Sequence, residues 1–283
     1  MITASPATLT RLATAAMGTR FELVLDGDPV RARAAGEAAL NVIEHCHRRL
    51  SRFEASSLVS HIRRTAWRSP VRLDADAFAL FEDALRVHAA SSGAFDIAVG
   101  AVMERLGFHP TSGDDAAAGA TSASIVLDAR TRTIALLDRH TGIDLGAIAK
   151  GHALDLAARV LRDAGVERAL LHGGTSSVLA IGAPPGFGGW VVALGREKGR
   201  TVTLRDRALA VSGSAGRTTA VDGVDTGHIV DPRTGRGLPP GTVVAVTGPS
   251  ARLCDAWATA ITVLGHRPGT VPPEYETFFV SGS

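Results

Sequence analysis

Seven short apolar runs stand between Ala169 and Gly248: ALLH, VLAIG, WVVALG, TVTLRD, ALAVSG, HIVD and TVVAVTG. They are separated by glycine, proline and polar turn residues, and no amphipathic segment of helical length lies between them. Parallel neighbours need a crossover of a dozen or more residues, usually a helix, whereas antiparallel neighbours need only a turn. A βαβ alternation is therefore excluded for this half of the chain. Hairpin-linked strands with helices segregated from them read as an α+β fold.

The helices lie outside that block. From Pro29 to Leu50 apolar residues recur at helical spacing, and proline suits the first turn. DADAFALFEDALRVHAAS, from Asp74 to Ser91, is a second amphipathic helix with Asp74 as N-cap and Ser92-Gly93 as its stop. Ser250 caps a last helix, ARLCDAWATAITVLG. RFEASSLVSHI offers a loop and a short helix, and FELVLDGD, SIVLD, TIALLD and ETFFVSG read as further strands. Residues 110–123 form a low-complexity loop.

Composition removes several function classes. The formal net charge of +2 is too balanced for a nucleic-acid footprint. No run of about 18 apolar residues occurs, so no transmembrane helix is expected. Cys46 and Cys254 stand far apart with no CxxC pair, which excludes a cysteine zinc site. The first twenty residues show neither a sustained apolar core nor a cysteine for lipid attachment, so the chain as written is expected to be cytoplasmic.

The chemistry gathers in a few stretches. GIDLGAIAKGHALD, Gly142 to Asp155, sets three glycines and Lys150 before a helical pattern. Glycines let backbone N–H groups approach a ligand, and a helix N-terminus favours an anion. Yet the spacing is not that of a P-loop, and Asp144 is unsuited to a phosphate cradle; a tight strand-to-helix turn with Lys150 in solvent fits as well. Asp255 and Thr259 stand at i, i+4 on one face of the last helix. They are hard oxygen donors suited to Mg²⁺, or else a dipole-favoured aspartate and a threonine bonded to its own i−4 carbonyl. His228 opens HIVDPRTGR and can serve as a general base, although the D-P-R-T-G turn after it is first of all structural. In SSGAFDIAVG, Phe95 suits a core, and Asp96 either holds a ligand or caps the next turn.

Taken in order, MGTRF, LSRFEASSLVSHI, SGAFDIAVG, IDLGAIAKGHALD, HGG, VSGS, HIVDPRTG and CDAWATAITVLG make the chain resemble the ApbE family of FAD:protein FMN transferases. The resemblance runs from about Met17 to Gly265. It implies one T-fold-like domain of antiparallel sheets with packed helices over residues 17–283, and a short extension over residues 1–16. It implies that FAD is the substrate and Mg²⁺ the metal. FMN would pass to a threonine or serine of an acceptor protein within a D-x-x-[ST]-G-A-[ST]-type motif, with release of AMP. By the same resemblance Met17, Phe53, Ala94, Phe95, Asp96, Asp144, Lys150 and Ile229 line the flavin nucleotide. The metal takes the Ala147 carbonyl, Asp255 and Thr259, and His228 removes the acceptor's hydroxyl proton.

The chain also departs from the family pattern. Arg63 stands at a usual asparagine, Ile97 and Ala98 replace proline and threonine, and HGGT brings in His172 and Thr175. Ser214 and Ala215 replace an acid and an aromatic, and the helix after VLG is cut to HRPGTVPPEY. These changes fall on the acceptor side, so FAD binding or FAD hydrolysis to FMN and AMP without protein transfer is the alternative reading. DAAAGAT, Asp115 to Thr121, mimics an acceptor motif with Ala118 at the usual Ser or Thr, which makes Thr121 a candidate for self-flavinylation.

Overall fold

The computed structural model describes residues 9–110, 121–194, 200–214, 218–221 and 224–281. Its frame is a seven-stranded antiparallel sheet: Leu9–Ala16, Thr19–Asp26, Ala169–Gly173, Ser177–Ile181, Ala208–Gly213, Thr242–Gly248 and Glu276–Ser281. Spatial order equals chain order, so every step is taken between neighbours. This agrees with the hairpin logic of the sequence and with the expected antiparallel sheets packed by helices.

Two details differ. Residues 9–16, expected in an extension, form the first edge strand of the sheet. Its tight turn, with Ala16 opposite Thr19, holds Met17 at φ 51° and Gly18 at φ 71°. Positive φ at both central residues is the two-residue hairpin geometry. The candidate acceptor mimic around Asp115 lies outside the described residues except for Thr121, which caps the 3₁₀ turn Ser122–Ser124.

The sheet is buried on both faces, which explains why its inner strands read as unbroken apolar runs. Ala169, Leu171, Leu179, Ile181, Ala208, Ala210, Val244 and Val246 face the helical side. Leu170, Val178, Ala180, Leu209 and Ala245 face a second core under the hairpin formed by Trp190–Ala193 and Thr201–Leu204. This is the period of two that a strand imposes.

On the helical side pack α1 (Pro29–Leu50), α2 (Leu58–Thr65) and α3 (Ala75–Ala90). The short α4 (Gly100–Arg105) follows at a satellite apolar cluster, and the long α5 (Ala149–Asp163) and α6 (Ala251–Leu264) return to the main core. Asp28, Ser57, Asp74 and Ser250 each accept an N–H as side-chain caps, and Gly265 ends α6 in the left-handed region. α5 and α6 meet each other and the strand Ser177–Ile181, and that three-way junction positions the site.

Candidate active site

The glycines of the Gly142–Asp155 stretch serve three separate contacts. A Cβ on Gly100 would lie 2.6 Å from the Gly142 carbonyl, and the Gly100 N–H donates to that carbonyl at 2.8 Å. Two glycines thus let two backbones touch. The Gly146 N–H donates to Asp144 Oδ1 at 2.8 Å. Gly151 lies against the first turn of α6, where a Cβ would fall 2.6 Å from the Arg252 amide nitrogen and closer still to the Ala251 carbonyl. This is a joint between elements, not a phosphate cradle.

That close approach brings Asp255 onto α5. Asp255 is only 5% exposed, and its two oxygens have different donors. The Gly151 N–H donates to Oδ2 at 2.6 Å, and the Ser177 hydroxyl donates to Oδ1 at 2.7 Å. Lys150 Nζ stands 3.9 Å from Oδ2. Burial pushes the Asp255 carboxyl above its ordinary value, against the opposing pull of Lys150, Ser177 and Gly151. A buried carboxylate in this state is one that a nearby cation would relieve.

Gly151 gives its N–H to Asp255 and not to the carbonyl four residues back, so Ala147 is released from the usual helical pairing. The Thr259 hydroxyl donates to the Asp255 carbonyl at 3.1 Å, the i−4 back-bond, and its oxygen keeps lone pairs. Among the described residues no three His, Cys, Asp or Glu side chains cluster as a metal site. A cation here would rest on one carboxylate, with hydroxyl, carbonyl, water and substrate oxygens completing the shell. Mg²⁺ accepts that hard-oxygen set, and Ala147, Asp255 and Thr259 fit it.

Asp155, one turn beyond Gly151, fixes the same junction from the other end. It accepts from Ser250 Oγ at 2.8 Å, Ala251 N at 2.8 Å and Arg252 N at 3.0 Å, so a side chain of α5 caps α6. Arg252 then pairs with Asp83 of α3 and donates to His152 Nδ1 at 3.3 Å. Burial first, and the Arg252 charge second, lower the His152 pKa to about 4.

A second group forms around Asp144. Its Oδ2 meets His109 Nε2 at 2.7 Å and Arg52 at 3.4 Å. Burial alone would raise this carboxyl, but the His109 and Gly146 hydrogen bonds with the His109 and Arg52 charges outweigh it and hold the pKa low. Arg52 also pairs with Glu104 and lies 5.7 Å from the Phe53 ring centroid. That ring is 63% exposed and meets His109 edge-on at 5.2 Å. Phe53 and Asp144 are therefore neighbours through His109. Both Asp144 oxygens already have protein partners, so a ligand contact there exchanges with one of them.

The other predicted residues fall in three places. Ile229 packs with Ala94 and with Val263 of α6, which sets His228 beside the C-terminal half of that helix. Ala94 and Phe95 are both buried, and the Phe95 backbone is already paired, its N–H to Ser91 Oγ at 3.0 Å and its carbonyl to His88 Nδ1 at 2.9 Å. Asp96 is also buried. It accepts from Ala98 N at 2.6 Å and from Ser122 Oγ at 2.6 Å, the capping alternative read from its sequence. Met17 donates its N–H to His47 Nδ1 at 3.2 Å, and no described contact joins it to the Asp255 junction. Ser177, Asp155, His109 and Arg52 were not singled out by sequence. Each acts across a long chain separation, and only Asp155 and Arg52 lie inside motifs quoted from the sequence.

Known proteins resemble this chain along most of its length. Residues 17–271 match the ApbE family. A FAD:protein FMN transferase of Klebsiella pneumoniae is 29% identical over 268 residues, covering 88% of this chain and 83% of that protein. One from Rhodobacter capsulatus is 36% identical over 190 residues, 62% of this chain but only 36% of its own length. Among solved structures, an ApbE protein of Thermotoga maritima superposes with a TM-score of 0.85 at 26% identity, over 98% of this chain and 96% of that one. The flavin transferase ApbE of Vibrio cholerae gives 0.83 at 23% identity, over 98% and 94%, a likeness of fold.

Proposed function

The chain belongs to the ApbE family, and on that premise we propose that this transferase, an FAD:protein FMN transferase, works with Mg²⁺ on a threonine or serine of an acceptor protein and releases AMP. The observation that carries the reading is Asp255. It is a buried carboxylate held by Gly151 and Ser177, with Lys150 beside it and hard oxygens of Ala147 and Thr259 on the adjoining turns.

The residues divide the work. Ala147, Asp255 and Thr259 hold Mg²⁺, which supplies charge neutralisation on the pyrophosphate oxygens. Lys150 adds a point charge for the phosphates. Phe53 offers an exposed ring for stacking, and Asp144 offers a carboxylate for hydrogen bonds to the organic part of FAD. His228 takes the proton of the acceptor hydroxyl as its oxygen attacks the riboflavin-side phosphorus. The bond to the AMP phosphate breaks, and AMP leaves. Most of the effect expected of such a site is positioning and electrostatics, and the base adds about 10²–10⁴-fold.

The test is incubation with FAD, Mg²⁺ and a fusion protein carrying D-x-x-[ST]-G-A-[ST], following AMP release and covalent flavin fluorescence together. Both signals are expected, and both should fall with Asp255→Ala. His228→Ala should slow transfer by about a hundredfold or more while FAD still binds. AMP without covalent flavin on any acceptor would replace transfer by hydrolysis. Normal transfer by Asp255→Ala would refute the metal site.

A further inference from the structure

The ApbE-family reading gives Asp255 to the metal but does not explain how a lone buried carboxylate is aimed. Ser177 begins the fourth strand of the main sheet, directly after the turn Gly174–Ser176, and is fully buried. Its hydroxyl donates to Asp255 Oδ1 at 2.7 Å across 78 residues of sequence. The Gly151 N–H donates to the other oxygen at 2.6 Å. One donor comes from the sheet and one from α5, while the acceptor sits on α6. With one bond on each oxygen, rotation of the carboxylate about its terminal torsion is stopped from both sides.

We propose that Ser177 is a positioning residue for the metal: through its hydroxyl it fixes the orientation in which Asp255 meets the cation. The inference rests on the metal reading given above. Three features carry it. The hydroxyl lies in a fully buried place, where its strongest partner is a carboxylate and a charge-assisted bond is strong. The second donor, Gly151, is a backbone N–H that no substitution except proline deletes, so Ser177 is the half of the clamp whose donor a side-chain change removes. The third feature is the neighbour Ser176, whose oxygen lies 3.5 Å from that of Ser177 and makes no bond to Asp255. Of the three hydroxyl residues in TSS, one is aimed at the carboxylate. Groups that orient a metal ligand typically change metal affinity by about 10–100-fold when removed.

The experiment titrates Mn²⁺ into the purified protein without FAD and reads the free ion by electron paramagnetic resonance. Wild type, Ser177→Ala, Ser177→Cys, Ser176→Ala and Asp255→Asn are compared, together with the Ser177→Ala, Asp255→Asn double variant. Thermal midpoints are recorded for all of them. Ser177→Ala is expected to weaken Mn²⁺ binding about tenfold. Ser177→Cys, of similar size but a poorer donor, should fall between, and Ser176→Ala should match wild type. In the Asp255→Asn background, Ser177→Ala should add no further loss, which separates positioning from a general loss of stability. Binding that needs Asp255 but is unchanged in Ser177→Ala overturns the inference alone. So does an equal loss from Ser177→Ala with and without Asp255. Binding indifferent to Asp255→Asn overturns the metal reading, and the inference with it.

Discussion

Replacing Gly151 by alanine tests the α5–α6 joint with one methyl group. Its Cβ would stand 2.6 Å from the Arg252 nitrogen, where ordinary contact begins at 3.4 Å, and it meets the Ala251 carbonyl more closely. The obstructing atoms are backbone, so no rotamer relieves them and the helices must part by at least about 0.8 Å. Such a shift lengthens the 2.8 Å bond between Asp155 and the Ala251 N–H past a useful hydrogen-bond distance. The Gly151 bond to Asp255 is strained with it. Overpacking costs about 1–3 kcal/mol, and each lost bond to a charged acceptor about 1.5–3 kcal/mol. Alanine's better helix propensity returns about 1 kcal/mol. The expected loss is about 4 kcal/mol, a large share of the 5–15 kcal/mol typical of a domain. Urea unfolding followed by fluorescence, with Trp257 of α6 as the buried reporter, measures it. Gly269→Ala, where an added Cβ meets nothing within 4 Å, serves as control and should change stability by less than about 0.5 kcal/mol. If Gly151→Ala loses under about 1 kcal/mol and keeps its Mn²⁺ affinity, the close-packed joint is not what holds Asp255 in place.

Two more outcomes follow from the same junction. His152 has a folded pKa of about 4 against an ordinary 6.5, so between those values the unfolded chain binds more protons and stability falls with the pH. Its share amounts to about 2–3 kcal/mol by pH 4.5. His152→Gln should flatten the dependence of urea stability on pH between 6.5 and 4.5, and parallel curves for the two proteins would refute the assignment. Asp155→Ala removes three bonds at the start of α6 and should cost at least about 4 kcal/mol and weaken Mn²⁺ binding as well. A melting temperature equal to wild type would show that Ser250 suffices as the cap.

What the sequence discloses depends on how local the signal is. α1, α3 and α6 were legible almost to the residue, because Pro29, Asp74 and Ser250 mark their starts and their apolar stripes are continuous. α4 was not: it starts on Gly100, has no side-chain cap, and exists because Gly100 is held against Gly142. The edge strand Leu9–Ala16 was missed for a related reason, since only one of its residues is buried and its identity comes from pairing with Thr19–Asp26. The site divides in the same way. Lys150, Ala147, Asp255 and Thr259 come from two short motifs, and the structure joins those motifs through Gly151. Ser177 and His109 had no local mark, because one buried hydroxyl and one of ten histidines look alike until the partner carboxylate is in view.

The glycines of GIDLGAIAKGHALD show why a motif so close to a phosphate loop had to be resolved by packing. Glycine is required wherever backbone comes near something, whether an anion or another backbone, and the letters do not say which. Here the close partners are Gly100, the Asp144 carboxylate and the first turn of α6. Two of these three contacts end on a carboxylate, because Gly146 gives its N–H to Asp144 and Gly151 gives its N–H to Asp255. Backbone donors that would cradle a phosphate in a P-loop are spent on fixing acids. An anionic substrate then meets fixed carboxylates, which repel it unless a cation stands between them. Lys150 contributes one charge, 3.9 Å from Asp255, and a pyrophosphate carries more than one. On the proposed metal reading the stretch accepts FAD together with a divalent ion, so FAD binding should tighten as Mg²⁺ is added. Fluorescence titration of FAD with and without chelator measures this, and equal affinity in both would mean that Asp144 and Asp255 do not face the phosphates.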